Sequence, residues 1–257
     1  MTNADLVRAR PPLGTVLSSL GRADFAVTVK NRRSFVLSLA LPVVLLVATN
    51  SGKATTNLGG PAFVIGLSIA YALAATGLLG YALMVARDRD QGVFQRLRVT
   101  PTPTWAIMGS RLTAQVVANF IISLVVLVIG SHIHNISVTA GEYALVLLVS
   151  VLASAVFLSI GQALVGLTKS ADTVNAGGRI LFAGLMFLGL FGASGALGGV
   201  WESISRWSPV GVVMRLFAAV LHLTAWSGTD TWCLLAGLAY VVVCSAVGIR
   251  WFQWEAR

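Results

Sequence analysis

Long apolar stretches alternate with short polar segments along most of this chain. A helix needs about 20 apolar residues to cross the hydrocarbon core of a membrane, and its backbone polar groups must be bonded within the segment. Six stretches are long and apolar enough to form such a helix. They cover residues 34–50, 61–86, 105–131, 142–168, 179–200 and 231–251. The pattern predicts an all-α membrane protein with six transmembrane helices over residues 34–257.

The stretch 203–226 is also apolar, but Arg206, Pro209 and Arg215 interrupt it. A seventh full span would bury these cations at a high cost in free energy. Pro209 instead divides the stretch into two short helices, and Glu202 can pair with Arg206 four residues later. We expect a re-entrant helix pair that enters and leaves the membrane on the outer side, before the sixth span.

The segment 1–33 precedes the first apolar stretch and is predicted to form a cytoplasmic N-terminal region. Leu13, Val16, Leu17 and Leu20 recur at helical spacing within it. Basic residues follow this apolar face, as is typical of an amphipathic helix that lies along the membrane interface. The alternative, a disordered basic leader, remains open for the residues before Pro11.

Composition supports the membrane class and charge indicates the orientation. The chain is 56% hydrophobic and only 11% charged, with a mean hydropathy of +0.84, which lies outside the range of soluble domains. With a cytoplasmic N-terminus, only Lys53, Arg206 and Arg215 of the 18 Lys and Arg residues lie outside. Basic residues favour the cytoplasmic side, so both termini are predicted to be cytoplasmic. The net charge of +9 then indicates contact with anionic membrane lipid and no nucleic-acid partner.

Disulfide and metal sites are not predicted. Cys233 and Cys244 lie on the same predicted helix, about 16 Å apart along its axis, which is beyond the reach of a disulfide. His132 and His134 form a pair with no third ligating residue beside them.

A phosphate-binding loop for nucleotide hydrolysis needs Gly, four residues, then Gly-Lys-Ser/Thr. The nearest match, residues 161–170, has two extra residues before its Lys-Ser pair. We therefore expect the chain to bind no cofactor and not to be an enzyme by itself.

The segment 87–103 is the one densely charged and patterned stretch of the chain. Gly92 is expected to end the preceding helix, and a short amphipathic helix follows before Pro101. Such a helix can insert Phe94 and Leu97 into a groove on a partner, while two arginines, Arg96 and Arg98, contact an acidic rim. An ordinary basic loop that only fixes topology is the alternative.

This segment resembles the cytoplasmic loop of the type-2 ATP-binding-cassette (ABC) transporter permeases. The residues that carry the resemblance are Arg87, Asp88, Arg89, Asp90, Gly92, Leu97, Thr100, Pro101, Trp105, Gly109 and Arg111. The sequence departs from the family pattern at three positions, where Val93, Phe94 and Gln95 replace Thr, Leu and Glu. The likeness extends over the whole chain, from the interfacial helix to the broken apolar segment before the last span.

The resemblance implies a multi-pass subunit of the bacterial plasma membrane that works with two ATPase subunits and a second permease, identical or homologous. ATP and Mg would bind to the ATPase subunits. The short helix would be the coupling helix that seats on an ATPase subunit. The implied coupling residues are Arg87, Asp88, Asp90, Gly92, Phe94, Arg96, Leu97, Arg98 and Pro101.

The substrate pathway is predicted from uncharged polar and aromatic residues within the spans. These residues are Tyr71, Thr76, Tyr81, Gln115, Asn119, Gln162, Phe182, Met186 and Phe187. Tyr71 and Tyr81, ten residues apart, are expected to share a helix face. Ordinary contacts between helices are the alternative for each of them.

The sequence as a whole predicts the permease of an ABC exporter for the efflux of a hydrophobic or amphipathic compound, such as a drug. Export of a lipid or a lipid-linked glycan is the alternative within the class. A secondary transporter would be expected to show buried charges and repeated halves. A membrane-embedded enzyme would need a catalytic cluster. The sequence shows no sign of the features that either class would need.

Overall fold

The computed structural model describes residues 32–50, 60–98, 104–192, 199–221 and 226–251. These parts of the chain are helical and contain no β-strand. The predicted interfacial helix before residue 32, and Pro101 in the loop, lie outside the described residues.

Ten α-helices and one π-helical segment make up the described part of the chain. They are α1 Arg32–Ala48, α2 Pro61–Ala75, the π segment Thr76–Tyr81, α3 Ala82–Asp90, α4 Val93–Arg98, α5 Thr104–Ile133, α6 Ala140–Leu167, α7 Ala171–Gly192, α8 Gly199–Trp207, α9 Pro209–Val220 and α10 Gly228–Arg250. The first three after α1 form one continuous helix, Pro61–Asp90, which we call the central helix.

Five helices within the described residues are long and apolar enough to cross a membrane, so the chain is a multi-pass membrane protein. They cover Pro61–Asp90, Gly109–Ile133, Ala140–Leu167, Ala171–Phe191 and Gly228–Arg250. The first predicted span corresponds to α1, which has 17 residues and contains Pro42. It is shorter than the other five.

The central helix lies in the middle of the bundle. In its most apolar 18-residue window 78% of the residues are buried, whereas the same measure for α10 is 17%. Helices α1, α5, α6, α7 and α9 all pack against it. The sides of α5, α7 and α10 that face away from it expose large apolar residues, as expected for surfaces in contact with lipid or with another membrane subunit.

Glycines allow the central helix and α6 to approach closely. A Cβ atom on Gly161 would lie 2.5 Å from the carbonyl oxygen of Gly77. A Cβ atom on Gly77 would lie 2.7 Å from the carbonyl oxygen of Phe157. Small residues at such crossings bring backbones together, and the resulting van der Waals packing stabilises helix pairs within membranes.

The stretch before α10 forms two short helices, as predicted. The Ser208 side chain accepts a hydrogen bond from the Gly211 amide at 3.1 Å, and Pro209 occupies the first turn of α9. Glu202 and Arg206 form the expected ion pair on α8, at 3.0 Å. With 12 residues, α9 is about 18 Å long, which is too short to cross the hydrocarbon core.

The fifth predicted span begins earlier than expected. The sequence predicts residues 179–200, whereas α7 begins at Ala171 and ends at Gly192. The Ser170 side chain accepts a hydrogen bond from the Thr173 amide at 3.2 Å, so the helix is capped before the apolar stretch begins. Arg179 lies within this helix, on its exposed side.

Candidate functional site

The candidate site is the junction at which the central helix ends. Gly92 has a φ of +69°, in the left-handed region, and its amide donates to the carbonyl of Arg89 at 3.0 Å. This conformation is easily adopted by glycine and commonly ends helices. The predicted helix end at Gly92 and the short helix after it, α4, are both present.

Arg89 anchors the junction to the end of α6. Its side chain is only 1% exposed, and its Nη1 donates to the carbonyls of Val165, at 2.9 Å, and Thr168, at 2.8 Å. These carbonyls belong to the last turn of α6 and to its C-cap residue, where carbonyls have no partner within the helix. The positive charge also interacts favourably with the helix dipole at this end.

Asp90 anchors the junction to the beginning of α7. Its Oδ2 accepts a hydrogen bond from the Ala171 amide at 2.7 Å. A carboxylate at this position satisfies an otherwise unpaired amide and stabilises the helix N-terminus. Arg89 and Asp90 are adjacent, so together they hold both ends of the turn that joins α6 and α7.

Asp88 connects the same junction to α5. Its carboxylate forms an ion pair with Arg111 at 2.5 Å, and both side chains are mostly buried. The Arg111 guanidinium also lies over the ring of Phe94, 5.3 Å from its centroid. The end of the central helix is therefore bonded to three other spans and packed against α4.

Phe94 faces its own chain. It is 2% exposed and packs in one apolar cluster with Val85, Leu158, Val165 and Val174, among others. This placement differs from the predicted insertion of Phe94 into a partner groove. The cause is that Phe94 lies in an apolar cluster with residues of α3, α6 and α7.

A different set of side chains forms the outer face of the junction. Arg87, Gln91 and Gln95 are exposed there, four residues apart along the chain. Arg96, Leu97 and Arg98 belong to α4, and their predicted contacts with a partner remain predictions.

The two pathway tyrosines face different helices. The Tyr71 hydroxyl donates to the Met186 carbonyl of α7 at 2.6 Å, whereas the Tyr81 hydroxyl donates to Gln162 Oε1 of α6 at 3.0 Å. The prediction of a shared face is therefore wrong. Ten residues fall about 80° short of three α-helical turns, and the π segment changes the helix phase further.

The other pathway candidates are spread over several contacts. Gln115 donates to the side chain of Asn119 one turn later at 3.3 Å, and Asn119 is fully buried. Thr76 donates to the carbonyl of Leu73 within its own helix. Phe182 belongs to the main apolar core, and Met186 packs against it.

Phe187 is 46% exposed on α7, and its ring lies 4.9 Å from that of Phe191 between centroids. This aromatic pair belongs to the weakly buried side of the bundle.

Tyr81 and Gln162 border a cavity of about 330 Å³ between α5, α6 and α10. Its remaining lining residues are Leu112, Val116, Ala155, Leu158, Ser159, Val241, Ser245 and Ile249. These two pathway candidates are thus brought together.

Sequence reasoning missed a buried ion pair at the other end of the bundle. Asp230 is fully buried and accepts a hydrogen bond from Arg215 Nε at 2.6 Å. The Ser227 amide and hydroxyl also donate to Asp230, at 2.7 and 2.8 Å. Ser227 followed three residues later by an acidic residue before an apolar stretch is a helix-start signal that could have identified part of this cluster.

Arg89 was also missed as an anchoring residue, because nothing in its sequence context distinguishes it from the exposed Arg87. Within the described residues no group of three metal-ligating side chains occurs.

Comparison with known families identifies the family of this chain. The sequence matches the family described as "ABC-2 type transporter" over residues 15–222, which is most of the chain. No curated protein matches it.

Proposed function

The chain belongs to the ABC-2 type transporter family, and from that premise we propose that it is the permease subunit of a bacterial efflux system for a hydrophobic or amphipathic compound, such as a drug. Members of this family are membrane subunits of ABC transporters, and the family implies an ABC ATPase partner. ATP and Mg would bind to that partner.

In this proposal α1 is the first of six spans and both termini are cytoplasmic. The distribution of charge supports this orientation, because Arg87, Arg111, Lys169 and Arg250 lie at the helix ends on the side of the junction. The helices α8 and α9 form the re-entrant pair on the opposite side. A second permease, identical or homologous, completes the pathway.

The single observation that carries the coupling role is the bonding of Arg89 and Asp90 to the two ends of the α6–α7 turn. A force applied to the exposed face of the junction, at Arg87 and Gln95, would displace the end of the central helix. Because Arg89 is buried and both residues are hydrogen-bonded to the α6–α7 turn, the displacement would reach α6 and α7 through Arg89 and Asp90. The Asp88 ion pair would extend it to α5.

The exposed side of α7 supports an apolar substrate. In its most apolar window only 28% of the residues are buried, and Phe187 and Phe191 are exposed there. Aromatic side chains of this kind bind flat apolar groups through stacking and edge contacts. We place the route for the substrate along this surface, between the two permeases.

The test is a separation of ATP hydrolysis from transport. The permease is coexpressed with its partner ABC ATPase and reconstituted into liposomes with a fluorescent amphipathic dye. Asp90→Asn removes the charge that caps α7, and we expect the ATPase to copurify and hydrolyse ATP while dye transport falls at least about fivefold, since the cap is worth roughly 1 kcal/mol or more.

Arg179→Gln is the matched control, because Arg179 is an exposed charged residue on α7, the helix that Asp90 caps. It should transport normally. Normal transport by Asp90→Asn would reject the coupling role of the junction, and failure of the wild-type pair to transport any amphipathic dye would reject the proposed substrate class.

A further inference from the structure

The cavity that contains Tyr81 and Gln162 is a groove parallel to the helix axes. Lining residues recur every four positions on α10, at Val241, Ser245 and Ile249, so they form one straight wall about 12 Å long. The opposite wall comes from α5, and α6 forms the floor because it packs against both.

The chemistry of the groove suits a hydrocarbon chain. Most of its lining is aliphatic, and its polar groups are largely bonded already. Tyr81 donates to Gln162 at 3.0 Å, and Ser159 donates to the Val156 carbonyl within α6 at 2.7 Å. A polar ligand would find few unpaired partners, whereas an apolar chain loses nothing by entering.

One end of the groove is positively charged. On α5, Arg111 directly precedes the lining residue Leu112, and on α10, Arg250 directly follows the lining residue Ile249. The Arg111 charge is already paired with Asp88. Arg250 is exposed, so it is the arginine that can meet a ligand from outside.

Helix packing places Arg250 at the junction end of the bundle. A Cβ atom on Gly166 would lie 2.8 Å from the Gly248 carbonyl, and the neighbouring Val165 carbonyl is bonded by Arg89. The Arg250 guanidinium lies over the exposed ring of Trp251, at 5.6 Å. A Trp–Arg pair at the end of a span is typical of the headgroup level of a membrane.

We propose that this groove is a binding site for an anionic phospholipid, with one acyl chain between α5 and α10 and the phosphate at Arg250. The site is separate from the exposed side of α7, and it does not depend on what the protein transports. The bound chain fills the gap between α5 and α10, which both pack against α6, so it stabilises the bundle directly beside the junction.

Photolabelling tests the proposal. The full-length permease is placed in phosphatidylcholine nanodiscs that contain a small fraction of phosphatidylglycerol with a diazirine on its acyl chain. Label is expected on peptides that carry Leu112 or Ser245. The same diazirine on phosphatidylcholine should label these peptides about fivefold less, from the attraction of one arginine to an anionic headgroup.

Two variants separate the acyl-chain and headgroup parts of the site. Ser245→Phe fills the groove and should lower labelling by both probes at least fivefold, whereas Ala246→Phe adds the same ring at the next, exposed position and should not. Arg250→Gln should remove the preference for phosphatidylglycerol, whereas Arg179→Gln should keep it. Thermal unfolding of each variant shows whether it is folded.

Several results would overturn the proposal. Equal labelling in Ser245→Phe and wild type would show that the acyl chain lies elsewhere. Equal labelling by the two probes in the wild type would show that Arg250 does not select a headgroup. Absence of label from the groove, with cross-links between two copies of the chain instead, would show that a protein segment occupies it. If Ser245→Phe does not fold, the labelling of Arg250→Gln by the two probes still tests the proposal, because an unchanged preference for phosphatidylglycerol would overturn it.

Discussion

Arg89 shows how a single buried charge can organise the end of a helix bundle. A guanidinium presents several donors in a fixed plane, so one nitrogen can bridge two carbonyls while Nε lies 3.6 Å from the Asp90 carboxylate. Burying the charge costs free energy, which the two carbonyls and the carboxylate offset in part, since Nε and Nη2 make no hydrogen bond within the described residues. The shorter reach and single nitrogen of a lysine would not reproduce this geometry.

Arg89→Met should lower the stability of the protein. The substitution leaves the Val165 and Thr168 carbonyls without their donor, and hydrogen bonds to charged groups are worth about 1.5–3 kcal/mol each. We expect a clear drop in the thermal unfolding midpoint of the purified permease. Fluorescence-detected size exclusion measures this midpoint. Arg87→Met, at an exposed position two residues earlier, should leave the midpoint within error; equal drops would contradict the anchoring role.

At the scale of single residues, the sequence predicted backbone features better than side-chain directions. Gly92 was identified correctly, because a left-handed helix end strongly favours glycine. Arg87 and Arg89 look alike in sequence, yet one is exposed and the other is buried. Which of them turns inward depends on the position of α6, a contact 76 residues away in the chain.

At the scale of elements, α4 combines an inward and an outward surface within six residues. Phe94 packs under α3 and α6, while Gln95 is exposed on the outer face of the junction. The inner surface fixes the position of α4, and the outer surface is the one that the proposed coupling role assigns to the ATPase.

Substitutions in α4 should therefore separate stability from partner binding. Phe94→Ala is expected to cost about 3–5 kcal/mol of stability, as for other buried aromatic residues, and to lower the thermal midpoint. Gln95→Glu restores the residue type of the family pattern at an exposed site, so the midpoint should be unchanged. Gln95→Trp should keep the midpoint but reduce copurification of the ATPase. A stable Phe94→Ala that has lost the ATPase would instead place Phe94 in the partner interface.

The π segment could not be predicted from the sequence. Thr76–Tyr81 lies inside a uniformly apolar stretch, and no proline or charge marks it. Such segments are inserted turns that shift the phase of the helix after them, and they are frequent at functional sites. Here the shift separates a contact with α7, at Tyr71, from a contact with α6, at Tyr81.

The crossing at the π segment should be sensitive to one methyl group. In Gly161→Ala the added carbon would lie 2.5 Å from the backbone oxygen of Gly77, so α6 has to move away. Overpacking of this kind typically costs about 1–3 kcal/mol, and the thermal midpoint should fall. Gly184→Ala on α7 is the control, since no atom lies within 4 Å of its added carbon. A midpoint for Gly161→Ala as high as that of the control would show that the helices do not cross closely here.

For the molecule as a whole, apolar length predicted the helices but not their faces. Five of the six predicted spans correspond to helices long enough to cross a membrane, although the fifth covers Ala171–Phe191 instead of residues 179–200, and proline correctly marked the break between α8 and α9. In a soluble protein an apolar stripe shows which side is buried. In a membrane both the core and the lipid are apolar, so the sequence could not show that the central helix is buried and α10 is not.

The orientation of the whole molecule is the last prediction, and α6 offers the simplest test because both of its ends are described. Ser137 and Lys169 are exposed just outside its two ends, and its 28 residues span about 42 Å. In a background without Cys233 and Cys244, a cysteine at Ser137 should react with an impermeant maleimide added to intact cells. A cysteine at Lys169 should react only after permeabilisation, because the basic junction faces the cytoplasm. The reverse pattern would place the junction outside the cell, where an ATPase that uses cellular ATP could not reach it. The coupling proposal would then have to be withdrawn.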